Sequence, residues 1–204
     1  MAGILSNFRN TLVVSTILAL ILIAGYGMAG PQGFAGEFWT AVFRWMHVLF
    51  GILWIGLLYY FNFVQIRKMP EIPAELKPAI SKYIAPEALF WFRWAAVFTL
   101  IMGLILAAQR GYLVQALTLG LVATDGAQRA QAHFIGVGMW LGIIMAANVW
   151  MFIWPNQKIA LGLVEADAEA KARAGRTAML FSRTNLLLSL PMLVTMTMNQ
   201  TIFG

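Results

Sequence analysis

The chain has 204 residues, 61% of them hydrophobic and only 11% charged, with a mean hydropathy of +0.76. Soluble domains carry charge on about a quarter of their residues, so this composition excludes an ordinary soluble globule. It predicts an all-α integral membrane protein. The net charge of +6 is no nucleic-acid signature, because the basic residues fall mostly in loops, where they set membrane topology. With no cysteine, the sequence can form no disulfide, thiolate metal site or covalently attached haem c.

Taken in order, residues 1–10 form a tail, and a first apolar helix covers roughly 11–29, retained and not cleaved as a signal peptide. A loop without Lys or Arg leads to a second helix over about 38–66, closed by Arg67, Lys68, Pro70 and Pro73. The third helix is expected to begin at Pro86 or Glu87, where proline and acid suit a helix start, and to run to about Gln109. Residues 110–127 are too short to span and predict an interfacial helix or a buried loop. The fourth helix, about 128–154, is expected to stop at Trp154-Pro155. A long polar loop over 156–182 predicts an exposed helix at Val164 to Arg176, before a fifth helix over about 183–203 that Pro191 should kink. This gives a single membrane domain of five spans, each close to the roughly 20 residues a bilayer requires. Nearly all loop cations fall on one side, which places the N-terminus in the cytoplasm and the C-terminus outside.

Two segments repeat at an offset of 86 residues: His47, Trp54, Gly56 and Asn62 correspond to His133, Trp140, Gly142 and Asn148. They are the only histidines in the chain. The domain therefore reads as residues 1–37 followed by a parallel repeat, 38–109 and 128–203, with a four-helix core. Each histidine has a glycine about one turn on, Gly51 and Gly136, and a tryptophan two turns on, Trp54 and Trp140. Polar groups inside a membrane are costly and point to function. Two imidazoles facing each other across a four-helix core suit the axial positions of a b-type haem. Arg44 and Arg129, about one turn before the histidines, would pair with its propionates.

A plainer account stands beside this one. Membrane histidines often bond across a helix pair, Trp54 and Trp140 read as packing residues, and Asn62 and Asn148 as hydrogen-bonders between helices. Arg93, between Trp91 and Trp94, reads as an anchor whose charge reaches for the membrane surface. The acidic residues lie in loops or at helix edges, which leaves no catalytic carboxylate pair.

Several stretches resemble the membrane domain of PuuD-type urate hydroxylases, also called the urate oxidase N-terminal domain. They are Arg44-Trp45-Met46-His47-Val48 with Trp54-Ile55-Gly56, Lys82-Tyr83-Ile84-Ala85-Pro86 and Phe90-Trp91-Phe92-Arg93-Trp94. Further along come Ala147-Asn148-Val149, Pro155-Asn156-Gln157, and Ser182-Arg183-Thr184-Asn185 before Leu190-Pro191. The resemblance implies a bacterial inner-membrane protein tied to purine breakdown, passing electrons to a cytochrome c. Thr184 stands where the resemblance leads one to expect a histidine, and no cytochrome c domain is present in these residues. The His47 segment is more distantly similar to HemJ-type membrane haem-biosynthesis oxidases.

Two functions follow as expectations. One is a membrane redox protein holding haem b between His47 and His133 and passing electrons toward a cytochrome c or quinone. The other is a non-catalytic accessory subunit of a larger respiratory or photosynthetic membrane complex.

Overall fold

The computed structural model describes residues 2–31 and 33–203, which contain no β-strand. Five helices are long and apolar enough to cross a membrane. After a helical turn at Ala2–Leu5 they are α1 (Phe8–Ala29), α2 (Glu37–Glu71), α3 (Lys77–Gln109), α5 (Gly126–Ala160) and α6 (Ala168–Phe203), with a short α4 (Leu113–Leu117) between the third and fourth spans. The molecule divides into two compact units at Trp45–Met46, within α2.

In the first unit α1 starts where the Asn7 side chain accepts from the Asn10 amide at 3.1 Å, satisfying one donor that an α-helix N-terminus leaves unpaired. The Phe34 ring lies against Gly27, where any side chain would collide with it. Phe34 in turn packs edge-on against Phe38.

In the second unit the spans bury a core of Trp54, Leu58, Phe92, Met145 and Val149, each 1% exposed or less. Within the bilayer, apolar side chains gain little by leaving lipid, so close backbone approach and polar contacts join the helices. The Thr195 side chain of α6 occupies the space that a side chain at Gly138 of α5 would need. Asn148 Nδ2 donates to Asn185 Oδ1 at 2.9 Å, and Asn185 Nδ2 donates to the Met145 carbonyl at 2.9 Å. One turn earlier on α6, Ser182 Oγ accepts from Asn62 Nδ2 of α2 at 3.0 Å. The two asparagines of the repeat thus both bond to α6, as hydrogen-bonders between helices.

The largest departures from expectation are at three boundaries. α3 begins at Lys77, nine residues before Pro86, and α5 runs past Pro155 to Ala160. In each case a π turn precedes the proline, Ile80–Ile84 and Val149–Ile153, with Ala85 and Trp154 donating to the carbonyls five residues back. Proline lacks an N–H and crowds the carbonyl four residues earlier, here that of Lys82 or Met151. Both carbonyls lie in the widened turn, so the helix passes the proline without ending. The third difference is at α6, which begins at Ala168, capped by Asp167 Oδ1 accepting from the Ala170 amide, and continues without a break through Pro191. The helix expected at Val164 to Arg176 and the fifth span are one rod.

Asn185 is fully buried with both ends of its amide engaged. Asn185→Leu should lower stability in micelles by about 1–3 kcal/mol, because it orphans Asn148 and the Met145 carbonyl. Exposed Thr184, bonded only to its own helix, should tolerate alanine within about 0.5 kcal/mol. Denaturant titration followed by circular dichroism would show the difference.

Candidate functional site

The histidines of the two repeats meet different partners. His47, half-buried on α2, has Nδ1 2.8 Å from the Thr99 carbonyl of α3. Its ring lies over Gly103, where an added Cβ would come within 2.8 Å of Cε1 and Nδ1. Thr99 and Gly103 are one turn apart, so α3 presents a carbonyl and a gap on a single face. Gly51 is also on this seam, with Thr99 Cγ2 at ordinary packing distance from where its side chain would be. Trp54, two turns beyond His47, is in the core with its indole Nε1 buried and unpartnered. Arg44 is half-buried one turn before His47 on α2, in the other unit.

On α5 the matching residues follow at intervals of four, three and four: Arg129, His133, Gly136 and Trp140. They share one face, and the segment between α3 and α5 lies over it, burying Gly136 while Arg129, His133 and Trp140 remain exposed. Arg129 Nη2 donates to the Ala123 carbonyl at 3.4 Å, His133 Nδ1 to the Leu119 carbonyl at 3.3 Å, and Trp140 Nε1 to the Leu117 carbonyl at 3.0 Å. Gly136 removes the side chain that would collide with the Ala116 carbonyl. Leu117 ends α4, where helix carbonyls lack internal partners, and Leu119 lies in the turn just beyond it. His133 and Trp140 supply partners for these two carbonyls. Leu119 has a φ of 51°, in the left-handed region that is strained for a branched side chain, and Gly120 follows at 79°. The backbone thereby reverses over α5 with its carbonyls directed at donors.

A carbonyl only accepts, so in both histidines Nδ1 carries a proton, an arrangement whose neutral tautomer has its lone pair on Nε2. Metal-ligating histidines are commonly oriented in this way, with the second ring nitrogen donating to a carbonyl. Each imidazole therefore has donor chemistry that fits a haem iron. The carbonyls that orient them belong to separate elements, α3 for His47 and the covering segment for His133. Among the described residues no group of three or more His, Asp or Glu side chains gathers as a metal site.

Thr99, Gly103 and the covering carbonyls were missed from the sequence. The small-residue spacing of Thr99 and Gly103 was a readable signal for close approach; backbone carbonyls leave none. The covering segment yields a direct test. Trp140→Phe and His133→Ala should each raise amide hydrogen exchange over 113–123 by about an order of magnitude, as one net hydrogen bond is lost. Exchange along α6 should stay unchanged.

No curated protein and no solved structure matches the chain. Residues 112–203, from the covering segment through α6 and just under half of the chain, match the family model described as urate oxidase N-terminal. That match bears out the resemblance for the stretches from Ala147 to Pro191, while those at 44–56 and 82–94 lie outside the matched residues.

Proposed function

We propose that the chain is a membrane redox domain of urate hydroxylase type, using the Nε2 atoms of His47 and His133 as ligands for a b-type haem. One observation carries the proposal: both repeat histidines donate Nδ1–H to a backbone carbonyl and so keep Nε2 as the lone-pair nitrogen. The family match supports the coarser part, a urate hydroxylase-like membrane domain, and it includes His133 but not His47. When bound, a b-type haem would supply a one-electron carrier between a reduced substrate and a cytochrome c or quinone. The chain contributes ring orientation. The Thr99 carbonyl and the Gly103 gap hold His47, while the Leu119 carbonyl holds His133. Two turns beyond His47, the apolar core around Trp54 and Phe92 is a dry surrounding of the kind that bears on redox potential, whereas His133 is exposed.

A second reading rests on the covered face of α5. Arg129, His133, Gly136 and Trp140 all engage the segment between α3 and α5, so their recurrence also serves packing alone. The chain would then be an accessory subunit of a larger membrane complex.

A dithionite-reduced minus oxidised spectrum of the purified chain, with a pyridine haemochrome assay, separates the two. The redox reading expects a b-type signal near one haem per chain that falls in His47→Ala and in His133→Ala. A flat spectrum from protein purified in mild detergent, or a signal untouched in both variants, would overturn it. The accessory reading expects co-purifying subunits and normal assembly of the double variant.

A further inference from the structure

Arg93 lies within the α3 span and is 8% exposed, yet its Nε and Nη1 have no hydrogen-bond partner. It forms no ion pair with the described residues, and the acid on its own helix, Glu87, is exposed and accepts from Trp91 Nε1 at 2.8 Å. A guanidinium removed from water without a counter-charge is strongly disfavoured. Its one strong contact is the Trp154 ring, with Cζ 3.4 Å from the ring centroid. Cation–π attraction offsets part of the lost hydration but leaves the N–H groups without acceptors.

The neighbouring contact has the same imbalance. Trp94 packs edge-on against Trp150, whose centroid is 5.7 Å away and whose Nε1 is also buried without a partner. Arg93 with Trp154 and Trp94 with Trp150 thus form one seam between α3 and α5, with Trp150 and Trp154 a turn apart. Three donor nitrogens at this seam, Arg93 Nε and Nη1 and Trp150 Nε1, have no acceptor. A second cation, Lys158 Nζ, is 5.8 Å from the same Trp154 ring, one turn nearer the end of α5. α5 also carries the π turn Val149–Ile153 here, a looser turn of a kind frequent at functional sites.

Donors without acceptors and two positive charges at one seam suit an acceptor-rich anion. We propose that the α3–α5 seam at Arg93, Trp150 and Lys158 binds a phosphate-type oxyanion, from an anionic phospholipid headgroup or from free phosphate. Phosphate matches the seam in charge and in number of acceptor oxygens. Binding parts Trp154 from Arg93 enough to admit an oxygen, with the π turn of α5 taking up the movement. Trp91 and Trp94, each 41% exposed, flank Arg93 with surface that a lipid would touch. This site is independent of the haem proposal.

The test titrates purified full-length chain in neutral detergent with phosphatidylglycerol and separately with inorganic phosphate. Readouts are tryptophan fluorescence and melting temperature. Saturable binding is expected, weakened about tenfold or more in Arg93→Gln and severalfold in Lys158→Gln, in line with losing a charge-assisted hydrogen bond. Response to phosphatidylglycerol alone assigns the site to lipid, and an equal response to inorganic phosphate assigns it to the free anion. Absence of saturable binding by either probe overturns the proposal, as does unchanged affinity in Arg93→Gln. Should Arg93→Gln fail to fold, Lys158→Gln and Trp150→Phe decide, and unchanged affinity in both is the negative result.

Discussion

Inside a bilayer every polar group must find its partner within the protein, and the second unit of this chain is arranged around that constraint. Its clearest expression is the contact of Asn148 with Asn185 and of Asn62 with Ser182, which fastens the first helix of each repeat to α6. Lipid tails compete with apolar side chains for apolar surface, so such polar contacts and glycine gaps position the spans. Gly138 admits α6, Gly136 admits α4, and Gly103 admits the His47 ring. The imidazoles and the Trp140 indole satisfy their own N–H groups on backbone carbonyls, and in doing so they fix segments against one another.

The same constraint explains the prolines. Pro86 and Pro155 each remove a backbone donor inside a long helix and crowd the carbonyl four residues earlier. A π turn before each one re-spaces the carbonyls so that the next residues donate five positions back. These wide turns lie beside polar features: Asn148 immediately precedes Val149–Ile153, and Trp154, which stacks on Arg93, immediately follows it. On α2 a third π turn, Tyr60–Gln65, contains Asn62 itself. The π turns of α2 and α5 both lie at the paired asparagines, though they do not keep the 86-residue offset.

Against this background the seam between α3 and α5 stands apart. Arg93 Nε and Nη1 and Trp150 Nε1 gather donors without acceptors at one seam, whereas the buried unpartnered Nε1 of Trp54 stands alone on α2. The oriented histidines and the donor-rich seam are separate chemistries on separate faces. One offers lone-pair nitrogens suited to a metal, the other offers N–H groups suited to an anion.

Much of this fold was legible in the sequence. Five apolar runs, the paired asparagines and the shared spacing of the histidines and tryptophans all follow from composition and periodicity, because lipid forces long apolar segments into helices. The resemblance to the urate oxidase N-terminal domain was also legible, and residues 112–203 bear it out. Helix ends at the prolines were not, since a π turn depends on neighbouring helices holding the distorted backbone in place. The faces of the histidines were not legible either. Sequence placed His47 and His133 at matching positions in two repeats. Only the tertiary structure set one against the Thr99 carbonyl and the other against that of Leu119. Those partners are backbone atoms that any residue could supply, so their identity depends on how the chain returns over α5 and on nothing written in the residues themselves.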